Sequence, residues 1–126
     1  MNTDRLEEIF QMRESFMDSL RKASVDPSLP NWPVDLGEKS SQQYVRDMAL
    51  RGVEEMFEAL QHLKNWKPHR QTEVKDFNRE EFLEEIVDAF NYFLSILVLT
   101  GFDANDFIEA YRRKDKIINE RLETGY

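Results

Sequence analysis

Four carboxylates in this chain occur as two pairs with the same internal spacing. Glu55 and Glu58 lie three residues apart, and so do Glu85 and Asp88. A spacing of three places both side chains of a pair on one face of a helix. Two such helices packed antiparallel would bring all four carboxylates together. Oxygen donors without sulfur favour a hard cation, so the pairs predict a site for Mg²⁺, with Mn²⁺ as a substitute.

The predicted cation site indicates phosphate chemistry, because Mg²⁺ commonly takes its remaining ligands from water and substrate phosphates. Two other interpretations compete with it. Pairs of glutamates on helix surfaces are common without any metal. A di-iron carboxylate bundle also uses four helices, but it requires Glu-x-x-His on two of them. Here the residue three positions after Glu55 and after Glu85 is acidic.

Asp88 differs from the other three carboxylates in its neighbours along the chain. Ile86, Val87, Ala89 and Phe90 flank it on both sides. A carboxylate in apolar surroundings requires a partner, and a bound cation is one way to supply it. We therefore expect Asp88 to lie in an apolar environment.

The hydrophobic pattern predicts four helices and no strands. Apolar residues recur at steps of three and four, the period of a helix with one buried face. The second helix is predicted to continue to Leu63 and the third to Thr100. We expect an all-α, four-helix bundle-like fold in a single domain over residues 1–126. The expected caps and stops are Thr3 or Asp4, the capping-box sequence Ser40-Ser41-Gln42-Gln43, Asn78, Gly101 and Asp103.

Composition narrows the class of protein. The formal net charge is −8, which argues against a nucleic-acid partner because phosphate backbones require clustered cations. The absence of cysteine excludes disulfides, thiolate metal sites and cysteine nucleophiles. The longest apolar stretch, residues 86–99, is interrupted by polar residues and is shorter than a membrane span. No signal-peptide pattern follows the first residues. We expect a cytoplasmic protein without a membrane partner.

The third helix is apolar over most of its circumference from Phe90 to Leu99. Such a helix is normally buried on most sides. Four helices in one small chain can hardly cover it, so the sequence predicts a homodimer or homotetramer with this helix at its centre.

The two carboxylate pairs resemble a known motif. Glu55-Met56-Phe57-Glu58 followed by Glu85-Ile86-Val87-Asp88 is similar to the ExxE…ExxD signature of the all-α nucleoside triphosphate pyrophosphohydrolases. That superfamily includes dimeric dUTPases, phage dCTP/dUTP pyrophosphatases and MazG-type enzymes. Several flanking segments resemble dimeric dUTPases as well: Gln11, Leu63-Lys64-Asn65-Trp66-Lys67, Phe93-Leu94-Ser95, Tyr111-Arg112-Arg113-Lys114, Arg121 and Gly125-Tyr126. The chain departs from the family pattern in two places. Asp115 and Ile118 stand where the pattern has asparagine, and Asn91-Tyr92 stands about where it has a His-Phe pair.

The resemblance implies Mg²⁺-dependent hydrolysis of a deoxynucleoside triphosphate to its monophosphate and pyrophosphate, in nucleotide-pool control. It implies dUTP as the substrate, with dCTP next, or a purine or non-canonical dNTP if the chain is closer to MazG-type enzymes. Glu55 or Glu58 would be the general base, with Glu55 preferred. The implied substrate-binding residues are Gln11, Lys64, Trp66, Asn91, Lys114 and Arg121, with Trp32 and Tyr92 as further candidates for stacking on a base.

A different class of function also accounts for the acidic charge and the apolar third helix. The chain could be a non-catalytic oligomeric helical module whose acidic face binds a basic protein. This alternative leaves the repeated i, i+3 carboxylate pairs unexplained. Release of pyrophosphate from nucleotides in the presence of Mg²⁺ separates the two hypotheses.

Overall fold

The computed structural model describes residues 4–125, and all regular structure in them is helical. This confirms the predicted all-α class with four helices. Thr3 and Tyr126, which the sequence analysis singled out, lie outside the described residues. Among those described, no helix combines the length and the apolar character that crossing a membrane requires. The helices are α1 (Arg5–Lys22), α2 (Lys39–Leu60), α3 (Arg79–Leu99) and α4 (Ala104–Thr124).

Three of the four predicted helix starts have the expected caps. The Asp4 side chain accepts hydrogen bonds from the backbone N–H groups of Leu6 and Glu7 at the start of α1. Asn78 accepts one from the N–H of Glu81 at the start of α3. Asp103 and Asp106 form a reciprocal capping box at the start of α4. Each bond satisfies a donor that the first turn of a helix would otherwise leave unpaired.

The predicted capping box at the start of α2 is wrong. The helix begins at Lys39, one residue before Ser40, and its N-cap is Glu38, whose side chain makes no capping hydrogen bond. Gln42 instead donates its side-chain N–H to the carbonyl of Leu36, at 2.6 Å. The glutamine is thus bound to the preceding loop, and the serines already lie inside the first helical turn.

The predicted ends of the middle helices are close to the observed ones. α2 ends at Leu60, three residues before the predicted end, and residues 61–62 form a turn. α3 ends at Leu99, one residue before the predicted end at Thr100. Gly101 then has the positive φ of 84° that a left-handed helix stop requires.

The chain divides into two compact units. One contains residues 4–34 and 97–125, and the other contains Asp35–Ile96. In the first unit, α1 packs on α4, with the ring centroids of Phe10 and Phe107 6.2 Å apart. The guanidinium of Arg21 lies 3.8 Å from the ring centroid of Trp32, so the loop after α1 is fixed against that helix.

In the second unit, α2 and α3 pack closely at Gly52. A methyl group at this glycine would lie 3.0 Å from the ring of Phe93, tighter than most side-chain contacts, so the absence of a side chain favours the observed approach. Farther along α2, Glu55 lies near Glu85, which precedes Phe93 in α3. Later residues of α2 therefore face earlier residues of α3, which is the antiparallel arrangement that the two carboxylate pairs require.

α3 is less buried in the single chain than its composition led us to expect. Ala89, Ser95, Val98 and Leu99 are buried. However, half or more of the surface of Leu83, Val87 and Phe90 remains exposed. The chain alone leaves one side of this helix open.

Candidate functional site

α2 and α3 bring three of the four predicted ligands together. Glu55, Glu58 and Glu85 each offer a carboxylate oxygen, and these three oxygens lie within 4.8 Å of one another. Glu55 and Glu85 are half-buried, whereas Glu58 is exposed. The antiparallel packing at Gly52 produces this convergence, because Glu55 follows Gly52 by three residues on the same face of α2.

One carboxylate of this cluster has an unsatisfied atom. The Oε2 atom of Glu85 is buried, and it has no hydrogen-bond partner among the residues that the structure describes. An acceptor that is buried without a donor is costly for a folded protein. A cation bound between the carboxylates would supply the missing interaction, whereas an ordinary solvent-exposed pair of glutamates has no such requirement.

The electrostatics of the cluster also favour a bound cation. Partial desolvation raises the pKa of Glu55 above its usual value, and the charge of Glu58 raises it further. A side-chain hydrogen bond to Glu58 adds to the effect, as do the charges of Asp88 and Glu85. The neighbouring carboxylates thus place negative charge around Glu55, and a bound cation would offset it.

Asp88 does not lie in the apolar environment that its neighbours along the chain predicted. It is exposed, and it is not among the three carboxylates that lie within 4.8 Å of one another. The reason is helical geometry. Ala89 faces the interior and is fully buried. Val87 and Phe90 are about half exposed, so this chain does not cover the face of α3 on which Asp88 lies. Asp88 is nevertheless near enough for its charge to raise the pKa of Glu55.

A pocket lies in the same unit, in the segment that joins α2 to α3. Its volume is about 570 Å³, and its walls are residues 62–66, residues 74–78 and Glu81. This volume is within the range of pockets that bind small molecules, roughly 300–1,000 Å³. The rings of His62 and Phe77 both contact Phe82, which fixes the two walls to the first turn of α3. Lys64 and Trp66, two predicted substrate-binding residues, are part of one wall.

The remaining predicted substrate-binding residues lie elsewhere. Asn91 is half-buried on α3, and its backbone carbonyl accepts a hydrogen bond from Ser95. Gln11, Lys114 and Arg121 are exposed residues of the first unit, on α1 and α4. Gln11 donates its side-chain N–H to the carboxylate of Glu7. Their assignment to substrate binding stays a prediction.

The second wall of the pocket was not predicted from the sequence. Of residues 74–78 only Asn78 was identified, as a helix cap, yet Val74 and Phe77 contribute apolar surface to the pocket. An available signal was the aromatic Phe77 immediately before the Asn78 cap. A hydrophobic residue in that position often packs against the first turns of the helix, as Phe77 does against Phe82.

Comparisons of the chain with family models, with curated proteins and with solved structures find no match. The resemblance to the all-α pyrophosphohydrolases is therefore a prediction, and the functional argument depends on the geometry of the site.

Proposed function

We propose that the chain is a metal-dependent nucleoside triphosphate pyrophosphohydrolase, with Glu55, Glu58, Glu85 and Asp88 as the residues that hold Mg²⁺. The observation that carries the proposal is the convergence of three carboxylates from two helices around a buried Glu85 oxygen, for which the described part of the chain offers no hydrogen-bond partner. Mn²⁺ is the expected substitute for Mg²⁺ because both prefer oxygen ligands.

The spacing of the carboxylates fits a cation of this size. Oxygens bound to one Mg²⁺ ion are at most about 4.2 Å apart, since each metal–oxygen distance is about 2.1 Å. The three oxygens, which lie within 4.8 Å of one another, need only small side-chain movements to reach that geometry. Asp88 is exposed, so it would complete the set through a rotation of its own side chain.

In the proposed reaction, water attacks the α-phosphorus and the bond to the β-phosphate oxygen breaks, which releases pyrophosphate. A bound Mg²⁺ ion would supply charge neutralisation for the phosphate oxygens and acidify the attacking water. The carboxylate of Glu55, or that of Glu58, would accept the proton from this water. Lys64 would neutralise phosphate charge and Trp66 would stack on the base, and both residues belong to the same pocket.

The proposed substrate is a deoxynucleoside triphosphate, with dUTP first and dCTP second. A panel of canonical and modified dNTPs, assayed for pyrophosphate release with and without Mg²⁺, tests the proposal directly. We expect release that depends on Mg²⁺ and is fastest with a pyrimidine nucleotide. A purine preference would favour a MazG-like activity instead. Absence of release from every nucleotide would contradict the proposed hydrolase and favour the non-catalytic helical module.

We also propose that the chain assembles with copies of itself, through apolar stripes on α2 and α3. Leu50, Val53, Phe57 and Leu60 are exposed at steps of three and four along α2. Leu83, Val87 and Phe90 form a similar exposed stripe on α3. Monomeric proteins rarely expose contiguous apolar patches of this kind, and a second copy offers the same apolar surface in a two-fold arrangement.

Sedimentation should therefore give a dimer or tetramer at micromolar concentration. Phe90→Glu should shift the distribution to smaller species, because a charge would be placed in the apolar contact. Phe102→Glu is the matched control, since Phe102 is similarly exposed but lies in the first unit. A monomer of 15.1 kDa in the unsubstituted protein would refute the assembly while leaving the carboxylate chemistry unaffected.

A further inference from the structure

The connection between α2 and α3 has a charge opposite to that of the whole chain. No acidic residue occurs between Glu58 and Glu73, although the chain carries 25 acidic residues in total. The same stretch contains Lys64, Lys67, Arg70 and both histidines of the protein. We call residues 61–72 the basic loop. A concentration of positive charge in a protein of net charge −8 predicts a local attraction for anions.

The basic loop contains a small cavity that is lined only by cationic, amide and hydroxyl side chains. Its volume is about 120 Å³, and its lining is Lys64, Asn65, Lys67, Arg70 and Thr72. That is room for several water molecules, and therefore for a phosphate group. None of the lining residues is acidic. A cation would consequently find no charged ligand in this cavity, whereas an anion would find three cationic side chains.

Backbone contacts hold these side chains around the cavity. The N–H of Arg70 donates to the carbonyl of Lys67 at 3.2 Å, which closes a turn and places both residues at its two ends. The side chain of Asn65 donates to the carbonyl of Glu73 at 3.4 Å and so connects the beginning and the end of the loop. The Lys67 ammonium lies 5.8 Å from the ring centroid of Trp66.

The three cations are available for a ligand. Within residues 4–125, none of Lys64, Lys67 and Arg70 forms an ion pair with a carboxylate. All three are exposed. Arginine and lysine side chains that converge without a carboxylate partner are the usual recognition groups for phosphate oxygens, and a threonine hydroxyl adds a neutral donor.

We propose that the cavity of the basic loop binds a phosphate oxyanion through Lys64, Lys67, Arg70 and Thr72. No carboxylate lines this site and it requires no metal ion, although it shares Lys64 with the larger pocket of the proposed hydrolase. The oxyanion can be free pyrophosphate or the phosphate chain of a nucleotide, because both present the same oxygens. The inference goes beyond the proposed hydrolysis, since the cavity would bind pyrophosphate whether or not the carboxylates cleave a nucleotide.

Calorimetric titration with inorganic pyrophosphate in metal-free buffer tests the site. We expect saturable binding, with the dissociation constant raised about tenfold in Arg70→Gln and in Lys67→Gln, as expected for loss of one hydrogen bond to a charged group. Lys39→Gln is the matched control, because it removes the same charge from an exposed position of the same unit. A parallel titration with dUTP identifies which phosphate compound the site binds. If dUTP binds more tightly than pyrophosphate, the ligand is the phosphate chain of a nucleotide. If the two bind equally, the ligand is the free anion.

Two results would overturn the inference. One is absence of pyrophosphate binding to the unsubstituted protein. The other is binding that Lys39→Gln weakens as much as Arg70→Gln, which would show general attraction to surface charge. Failure of the proposed hydrolase is distinguishable from both. Glu85→Gln should retain metal-free pyrophosphate binding, because Glu85 does not line the cavity. A protein that binds pyrophosphate but hydrolyses no nucleotide would support the anion site and contradict the enzyme.

Discussion

Glu85→Gln should lower the rate of Mg²⁺-dependent pyrophosphate release by at least about a hundredfold, the cost typical of removing one principal charge-stabilising group. Glu85 contributes the buried oxygen that has no hydrogen-bond partner within residues 4–125. An amide of nearly the same shape preserves the packing of α3 but is a much poorer ligand for a hard cation. Steady-state kinetics on the fastest dNTP substrate, together with a circular dichroism spectrum, checks the rate and the fold.

The matched control for this substitution is Glu84→Gln, which makes the same chemical change one residue earlier on α3. Glu84 is exposed and is not part of the cluster. The rate of pyrophosphate release by Glu84→Gln should therefore stay within a few-fold of that of the unsubstituted protein. Asp88→Asn should also lower the rate, because the charge of Asp88 acts on Glu55. A large loss of rate in Glu84→Gln with a normal rate in Glu85→Gln would show that the metal ligands lie on a different face of α3.

The second large effect is expected at Gly52, where α2 and α3 are closest. A Cβ atom there would lie 3.0 Å from Phe93 and 3.2 Å from the Cβ atom of Tyr92, closer than side chains normally approach. Gly52→Val should therefore lower the free energy of unfolding by about 1–3 kcal/mol, the usual cost of overpacking. It should also weaken binding of Mn²⁺, since separating the helices moves Glu55 away from Glu85.

Chemical denaturation and Mn²⁺ titration of the same variant measure these two effects. Arg51→Val is the control, because it introduces valine at an exposed position of the same helical turn. It should change the stability by only a few tenths of a kcal/mol. If Gly52→Val were as stable as Arg51→Val and bound Mn²⁺ normally, the close approach at Gly52 would not be what positions the carboxylates.

Local sequence signals predicted the helices well wherever the helix end depends on one nearby side chain. Asp4, Asn78 and Asp103 accept hydrogen bonds from the first turns that follow them. The start of α2 was mispredicted because the helix begins earlier than the capping motif indicates. Its N-cap is Glu38, so Ser40 lies inside the first turn, and the Gln42 side chain bonds to the carbonyl of Leu36 in the preceding loop.

The candidate site was predictable to the extent that helix periodicity determines it. The i, i+3 spacing placed Glu55 and Glu58 together, and antiparallel packing brought Glu85 to them. The environment of Asp88 was not predictable in the same way. In a helix, the side chains of adjacent residues point in different directions, so apolar neighbours along the chain do not show that a residue is buried. Burial depends on which face of the helix another element covers. Here Ala89 is covered, and Asp88 is exposed.

The pocket between α2 and α3 was only partly predictable, because it depends on the path of an irregular segment. Lys64 and Trp66 were identified through a resemblance. The opposite wall, residues 74–78, is brought to them by the ring contacts of His62 and Phe77 with Phe82. No periodic pattern encodes contacts of this kind. By contrast, the charge of the basic loop can be read directly from the sequence, although its cavity cannot.

Direct titration with Mn²⁺, followed by electron paramagnetic resonance of the free ion, tests the central claim that the carboxylate cluster is a cation site. The free Mn²⁺ signal should be depleted by the unsubstituted protein and by Glu84→Gln to the same extent. Glu85→Gln, which removes one of the three converging carboxylates, should leave the signal close to that of buffer alone. Equal depletion by Glu85→Gln and Glu84→Gln, or no depletion by the unsubstituted protein, would contradict the claim.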